Sequence, residues 1–401
     1  MKFNKWTLGL AAVGVVSLAS AARADESKIS QVQTALSDTT ISGYVDVAAQ
    51  FNPNGSSGSG LSPNYYYNSN PNSINLNVVN IAINKPLDES PWASGYRVEF
   101  AVGPVANSMG LPNNIRQAYV ALRTPVGNGI DWKVGIFDTI VGYESTTSGN
   151  NPNFSKSYGY NMEPTTHTGI LAAYKATDWL SMQAGIANAS YAGSGLYSAN
   201  SAWNNPSSST TSGLYHPTFM WGPTLTAPDS FGWAKGATLS FATIVTGGNT
   251  DGNGGSGSGQ GAQTYYAGIT LPTPIAALKF GAAFDYLAAH DVAQNQWVGA
   301  LYSTYQFNDK LSLNFRGEYL DAKSQQVSGA YTPVSTGPNQ ATELTATVQY
   351  ALWANVLTRL ELRWDHSLHD GAGGYFPNTS VGGSNQQQDA FLLAAQAIYT
   401  F

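Results

Sequence analysis

The chain has 401 residues, of which 10% are charged, 12% are aromatic, 42 are Gly and none is Cys. Eighteen basic residues against 24 acidic ones give a net charge of -6 with no basic cluster, which argues against a nucleic-acid partner. Without Cys there are no disulfides, thiolate metal sites or thiol catalysis, so packing and hydrogen bonding must supply the stability.

The chain opens with Lys2 and Lys5, an apolar run from Thr7 to Leu18, and Ala22-Arg23-Ala24, the order of an export signal with its cleavage site. The apolar run is short of the ~20 residues that span a bilayer as a helix. Residues 1–24 are therefore expected to be a signal peptide. Their removal takes away Lys2, Lys5 and Arg23, leaving 15 basic against 24 acidic residues, or -9. Residues 25–39 read as a polar periplasmic N-terminal extension, and residues 40–401 as one repetitive β domain.

From Ile41 onward, segments of about ten residues alternate apolar and polar side chains. In Gly95-Tyr96-Arg97-Val98-Glu99-Phe100-Ala101-Val102, the Tyr, Val, Phe and Val share one face while Arg97 and Glu99 share the other. Farther along, Leu278, Phe280, Ala282, Phe284 and Tyr286 repeat the pattern, as do Leu311, Leu313, Phe315 and Tyr319, and then Thr358, Leu360, Leu362 and Trp364. Around Val78 the phase changes: Ile74, Leu76 and Val78 alternate one way, Val79, Ile81 and Ile83 the other, which calls for a β-bulge. From Trp297 to Gln306 the pattern does not set a phase.

About sixteen strands emerge, joined alternately by short and long links. The short links are Pro86 to Ala93, Pro125 to Gly129, Thr177-Asp178, Pro228 to Lys235, Thr273 to Ala276, Phe307 to Lys310 and Trp353 to Asn355. The long ones are rich in Gly, Ser and Asn, the sixth, His290 to Asn295, being scarcely longer than a turn. Trp92, Trp132, Trp179, Trp233 and Trp353 fall at or beside short links and suit one membrane rim, with Trp297 and Trp364 at the other. The expected fold is all-β: a closed antiparallel transmembrane β-barrel of about 16 strands, with long extracellular loops and short periplasmic turns, in the outer membrane of a bacterium.

Parity assigns Arg97, Arg123, Lys133, Lys175, Lys279, Arg316, Arg359 and Arg363 to the lumen against Asp46, Glu99, Asp285, Glu318, Glu343, Glu361 and Asp365. Opposite charges on adjacent strands should pair and brace the wall. The third long link, Val141 to Thr166, carries Glu144, Lys156 and Glu163; folded inward opposite Arg359 and Arg363, these would make a constriction with a transverse field. The alternative is an ordinary extracellular loop.

VGIFDTIVGYE from Val134 and PTTHTGILAAY from Pro164 resemble segments of the OmpL-like β-barrel porin family. FRGEYLDAKS from Phe315 is similar to its R-x-E-Y-x-D strand end, and LTRLELRWDHS from Leu357 to its R-x-E-x-R-x-D-x-S strand. Phe401, on the same parity as Tyr399, Ala397, Ala395, Leu393 and Phe391, resembles the terminal strand that outer-membrane barrels present to the assembly machinery. One departure is Ile140, where relatives often place Pro in a P-x-G-x-E turn. A barrel of about 16 strands leaves a water-filled channel, so the expected function is passive diffusion of small polar solutes and ions, and the sequence shows no enzyme, cofactor or metal site. Outer-membrane lipid, lipopolysaccharide and the barrel-assembly machinery would be its partners, with homo-oligomerisation left open. Two rivals remain: an adhesin acting through its loops, and an outer-membrane lipid hydrolase. For the latter, His167, His216, His290, His366 and His369 show no catalytic or zinc spacing, although His366 and His369 lie beside Asp365 and Asp370.

Overall fold

The computed structural model describes residues 32–33, 38–53, 72–108, 114–188, 217–246, 262–289, 294–322, 340–368, 376–378 and 385–401. The proposed signal peptide, most of the N-terminal extension, much of several long links, and His216, His290, His369 and Asp370 lie outside them.

Sixteen long strands form the wall: β1 Thr40–Phe51, β2 Ser73–Lys85, β3 Ser94–Val102, β4 Ile115–Thr124, β5 Ile130–Asp138, β6 Thr166–Lys175, β7 Leu180–Ala187, β8 Thr218–Thr226, β9 Thr238–Thr246, β10 Ala262–Pro272, β11 Leu278–Ala289, β12 Gln294–Gln306, β13 Leu311–Asp321, β14 Gln340–Trp353, β15 Val356–Ser367 and β16 Asp389–Thr400. Each pairs antiparallel with its sequence neighbour. β16 pairs antiparallel with β1, from Leu393 opposite Phe51 to Thr400 opposite Tyr44, which closes the ring and leaves no long edge unpaired. Two short ladders stand outside this ring. Val32–Gln33 pairs with Thr40 and Ile41, and Phe376–Asn378 pairs with Asn385–Gln387.

Side-chain burial alternates along the strands with the period of two that one dry and one wet side require. On β15, Arg359, Glu361, Arg363 and Asp365 are buried inward while Leu360 and Leu362 are exposed on the outer face. The segment whose phase the sequence left open resolves the same way: Gln296, Val298, Ala300, Tyr302 and Thr304 point in, and Leu301 and Tyr305 point out. The expected bulge is present. Asp46 opposes Val78 and Val47 opposes Leu76, so Asn77 is the extra residue, and its amide donates to Asp46 Oδ1 at 2.9 Å.

Trp92, Trp179, Trp233 and Trp353 are exposed at the short-link end, and Trp132 donates its indole N–H to Thr124 there at 3.0 Å. At the long-link end, Trp297 packs between Phe284 and Tyr319, while Trp364 donates to Asp389. The outermost turn of the seam is tied by Phe401, which exchanges two backbone hydrogen bonds with Gly43 at 3.0 Å. The Phe401 ring lies where a Gly43 side chain would stand: a Cβ there would meet ring carbon Cζ at 2.7 Å.

Candidate functional site

Between β5 and β6 the chain does not turn out over the rim. Residues 139–165 leave β5, cross the lumen and pack against the far wall, from β10 to β15. The turn into the loop uses Gly142 at φ 107°, a conformation open to glycine, and a Cβ there would also collide with the Glu163 carboxylate at 2.2 Å. This is how the chain turns with Ile140 in place of proline. Four large side chains of the loop, Phe154, Tyr158, Tyr160 and Met162, are buried, each stabilising the docked state by roughly 1.5–3 kcal/mol relative to exposure. Tyr143 stacks on Tyr302 of β12 with ring centroids 4.3 Å apart, and its hydroxyl fits beside Gly281, where any side chain would block it.

The wall charges hold this loop largely through its backbone. Glu361 accepts the amides of Phe154 at 2.5 Å and Ser155 at 2.9 Å; Glu318 accepts the Tyr158 amide at 3.0 Å. In the other direction, Arg363 donates to the Lys156 carbonyl at 2.6 Å, and Arg359 donates to the carbonyls of Ser148, at 3.0 Å, and Asn151. Arg316 is bound most extensively, reaching Glu144 at 2.7 Å, the Ser155 carbonyl at 2.7 Å and Glu343 at 3.2 Å. Asp365 pairs with Arg363 at 2.7 Å and accepts the Tyr158 hydroxyl at 2.6 Å. Charges this deep are tolerable only when paired and hydrogen-bonded, and here the loop backbone supplies much of what the wall lacks.

Of the loop's own ionisable groups, Glu144 takes the Arg316 ion pair and the Ser157 amide, and Lys156 donates to the Ser145 carbonyl and lies over the Tyr160 ring. Glu163 lies against Gly142 and next to Asp285 of β11. The structure thus brings Glu144 and Lys156 into contact with the Arg316, Arg359 and Arg363 wall, where the sequence reading set Arg359 and Arg363 across open space from them. The reason is the loop's apolar content, which draws it against the wall.

A second cluster lies on β3 to β5. Arg97 binds Glu99 at 2.8 Å, and Arg116 bridges Glu99 to Asp138, the latter at 2.7 Å, while also donating to Thr146 at the start of the loop. Lys133 Nζ sits 5.1 Å from the Tyr119 ring centroid. Here side chains remain in contact with solvent, Arg97 at 27% and Asp138 at 36%, against 0% for Arg316, Glu318 and Glu343. Arg123 pairs with Asp131 at 2.6 Å near the short-link end, and Lys175 with Asp178 at 2.8 Å. Strand parity missed Arg116. Glu99 opposes Gln117 and Phe100 opposes Ile115, so Arg116 is a bulge residue, turned inward against the alternation.

His366, a candidate for metal or catalytic chemistry, lies on the outer face of β15 and hydrogen-bonds Asp389 at 2.8 Å, on the other side of the wall from Asp365. His167 is buried at the foot of the loop against the Thr139 hydroxyl.

Solved structures of similar fold are outer-membrane proteins. The anion-selective porin of Comamonas acidovorans has TM-score 0.57 at 10% identity over 90% of this chain and 99% of that one. For OmpF of Salmonella typhi, solved with daunomycin, the values are 0.57 and 11% over 92% and 100%. OmpT of Vibrio cholerae, in-vitro folded and in a trimer form, gives 0.52 and 12% over 90% and 99%. At these identities they establish the fold alone. No curated protein sequence matches the chain. Residues 38–401, the whole barrel, match the family described as "Putative beta-barrel porin-2, OmpL-like", and the chain belongs to that family of outer-membrane porins.

Proposed function

We propose that solutes diffuse along the part of the lumen that the docked loop leaves uncovered, beside the β3 to β5 wall. The carrying observation is the contrast between the two walls: Arg316, Glu318 and Glu343 are sealed beneath the loop, whereas Arg97 and Asp138 keep contact with solvent. The loop then sets the pore width, and the charges that meet a solute are Arg97, Lys133, Asp138 and, toward the periplasm, Arg123 and Lys175. Glu99, Arg316, Glu318, Arg359, Glu361, Arg363 and Asp365 act by holding the geometry. Passage needs no cofactor and no chemistry on the solute. The exposed apolar outer face implies contact with outer-membrane lipid and lipopolysaccharide, and insertion by the barrel-assembly machinery. The trimer form of the Vibrio cholerae neighbour is consistent with a homo-oligomer.

Planar bilayers containing the mature protein should show stepwise, ohmic conductance, and liposomes should swell in small sugars. Absence of both would mean a closed lumen and favour an adhesin or an enzyme. Because the guanidinium groups of Arg359 and Arg363 both hold loop carbonyls, replacing the two with Gln should make the conductance unsteady.

A further inference from the structure

Of the charged groups on the solvent-contacting wall, Lys133 stands apart. Arg97 and Arg116 share Glu99, and Arg116 also takes Asp138; Asn80 and Gln117 occupy the remaining acceptor positions of Glu99. That leaves three cations against two carboxylates. Among the described residues no carboxylate lies within ion-pair distance of the Lys133 ammonium, which feels Asp138 only at longer range and sits over the Tyr119 ring face. Arg97 uses Nε and Nη2 on Glu99, which leaves Nη1 unengaged among those residues.

Register explains why these groups meet space instead of one another. Arg97, Tyr119, Gly135 and Gly169 are directly opposed across four adjacent strands, all on the inward parity. The next inward row is Gly95, Ala121, Lys133 and Leu171. Tyr119 therefore stands directly opposite Gly135, with Gly169 one strand beyond, Gly95 diagonal to it on β3 and Ala121 two residues along its own strand. Three of these eight inward positions are Gly and one is Ala, so few side chains cover the backbone in this glycine recess beside Tyr119, Arg97 and Lys133.

We propose that Lys133, Arg97 and Tyr119 form a contact point for carboxylate-bearing solutes, with the body of the solute lying in the glycine recess. The proposal rests on the pore reading above and adds the solute class. A carboxylate can accept from the Lys133 ammonium and the Arg97 Nη1–H together, without breaking the Arg97–Glu99 pair. Glycine floors let an organic body approach the backbone closely, and the Tyr119 edge gives it an apolar flank.

The test uses the full-length mature protein in planar bilayers, with the reversal potential measured in a KCl gradient and current block by added benzoate. Wild type should be blocked by benzoate in a saturable manner. Lys133→Gln should lower the chloride-to-potassium permeability ratio by about threefold, the effect of one unit charge at the pore wall partly screened by salt, and should weaken the block. Lys133→Arg should retain both properties, and Lys310→Gln, in an exposed turn, should change neither. If Lys133→Gln conducts normally and leaves the benzoate block at the wild-type value, the contact point does not exist, even if the permeability ratio moves. If no variant and no wild-type protein conducts, it is the pore reading that fails.

Discussion

Glu361 offers the clearest measure of how firmly the inner loop is held. Its Oε2 accepts the Phe154 amide at 2.5 Å and the Thr347 hydroxyl at 2.6 Å, and Oε1 accepts the Ser155 amide at 2.9 Å. In Glu361→Gln the single carbonyl oxygen can retain the Phe154 and Thr347 bonds, but the new NH2 then faces the Ser155 N–H, donor to donor. One buried amide loses its acceptor and two charge-assisted bonds become neutral, a cost of roughly 2–3 kcal/mol to docking. At 1.4 kcal/mol per tenfold, local opening should become about 30- to 150-fold more frequent. Hydrogen–deuterium exchange on detergent-folded protein would read this as faster exchange in peptides covering residues 148–162, with β14 and β15 unchanged and heat-modifiable mobility preserved. Loop peptides that exchange within about threefold of wild type would refute the docking argument, since the local scale of exchange is set by such opening free energies.

Two further outcomes are expected. Deleting Phe401, or substituting Leu for Gly43 so that the ring is displaced, should reduce heat-modifiable barrel in the outer membrane fraction, and normal assembly of both variants would contradict a role for this packing. Tags inserted near Gly255 or Ser380 should be reached on intact cells, and tags at Asp178 or Asn308 only after the outer membrane is opened; the reverse accessibility would invert the orientation.

The fold was largely legible because a membrane barrel imposes a period of two on every strand, and a bulge shows as a change of phase. Val78 revealed one such bulge since apolar residues flank it on both sides. Arg116 hid another because it follows directly on the residues of a long link, where there is too little strand before it to define a phase. The loop's position was only half legible. Its place as the third long link suggested entry into the lumen, but the stronger signal was the content of residues 151–165: Phe154, Tyr158, Tyr160 and Met162 in a connection of a kind otherwise rich in Gly, Ser and Asn. Which charges a solute meets could not be read at all. That depends on which wall the loop covers, and the covering is set by contacts between residues as far apart as Phe154 and Glu361.

The seam between β1 and β16 has a consequence for how the barrel comes together in time. Every other strand pair is a hairpin of sequence neighbours, but the seam brings Gln396 onto Asp46, 350 residues apart, at 2.8 Å. Closing a loop that long costs roughly 5 kcal/mol in chain entropy before any contact repays it. The fifteen hairpin pairings can zip locally and early, whereas the clasp must wait for them to shorten the effective distance. Until then both terminal strands are bare edges able to pair with another chain. Weakening the Gln396–Asp46 tie should therefore show first as slower folding and more aggregation, with little change in the finished barrel's resistance to unfolding.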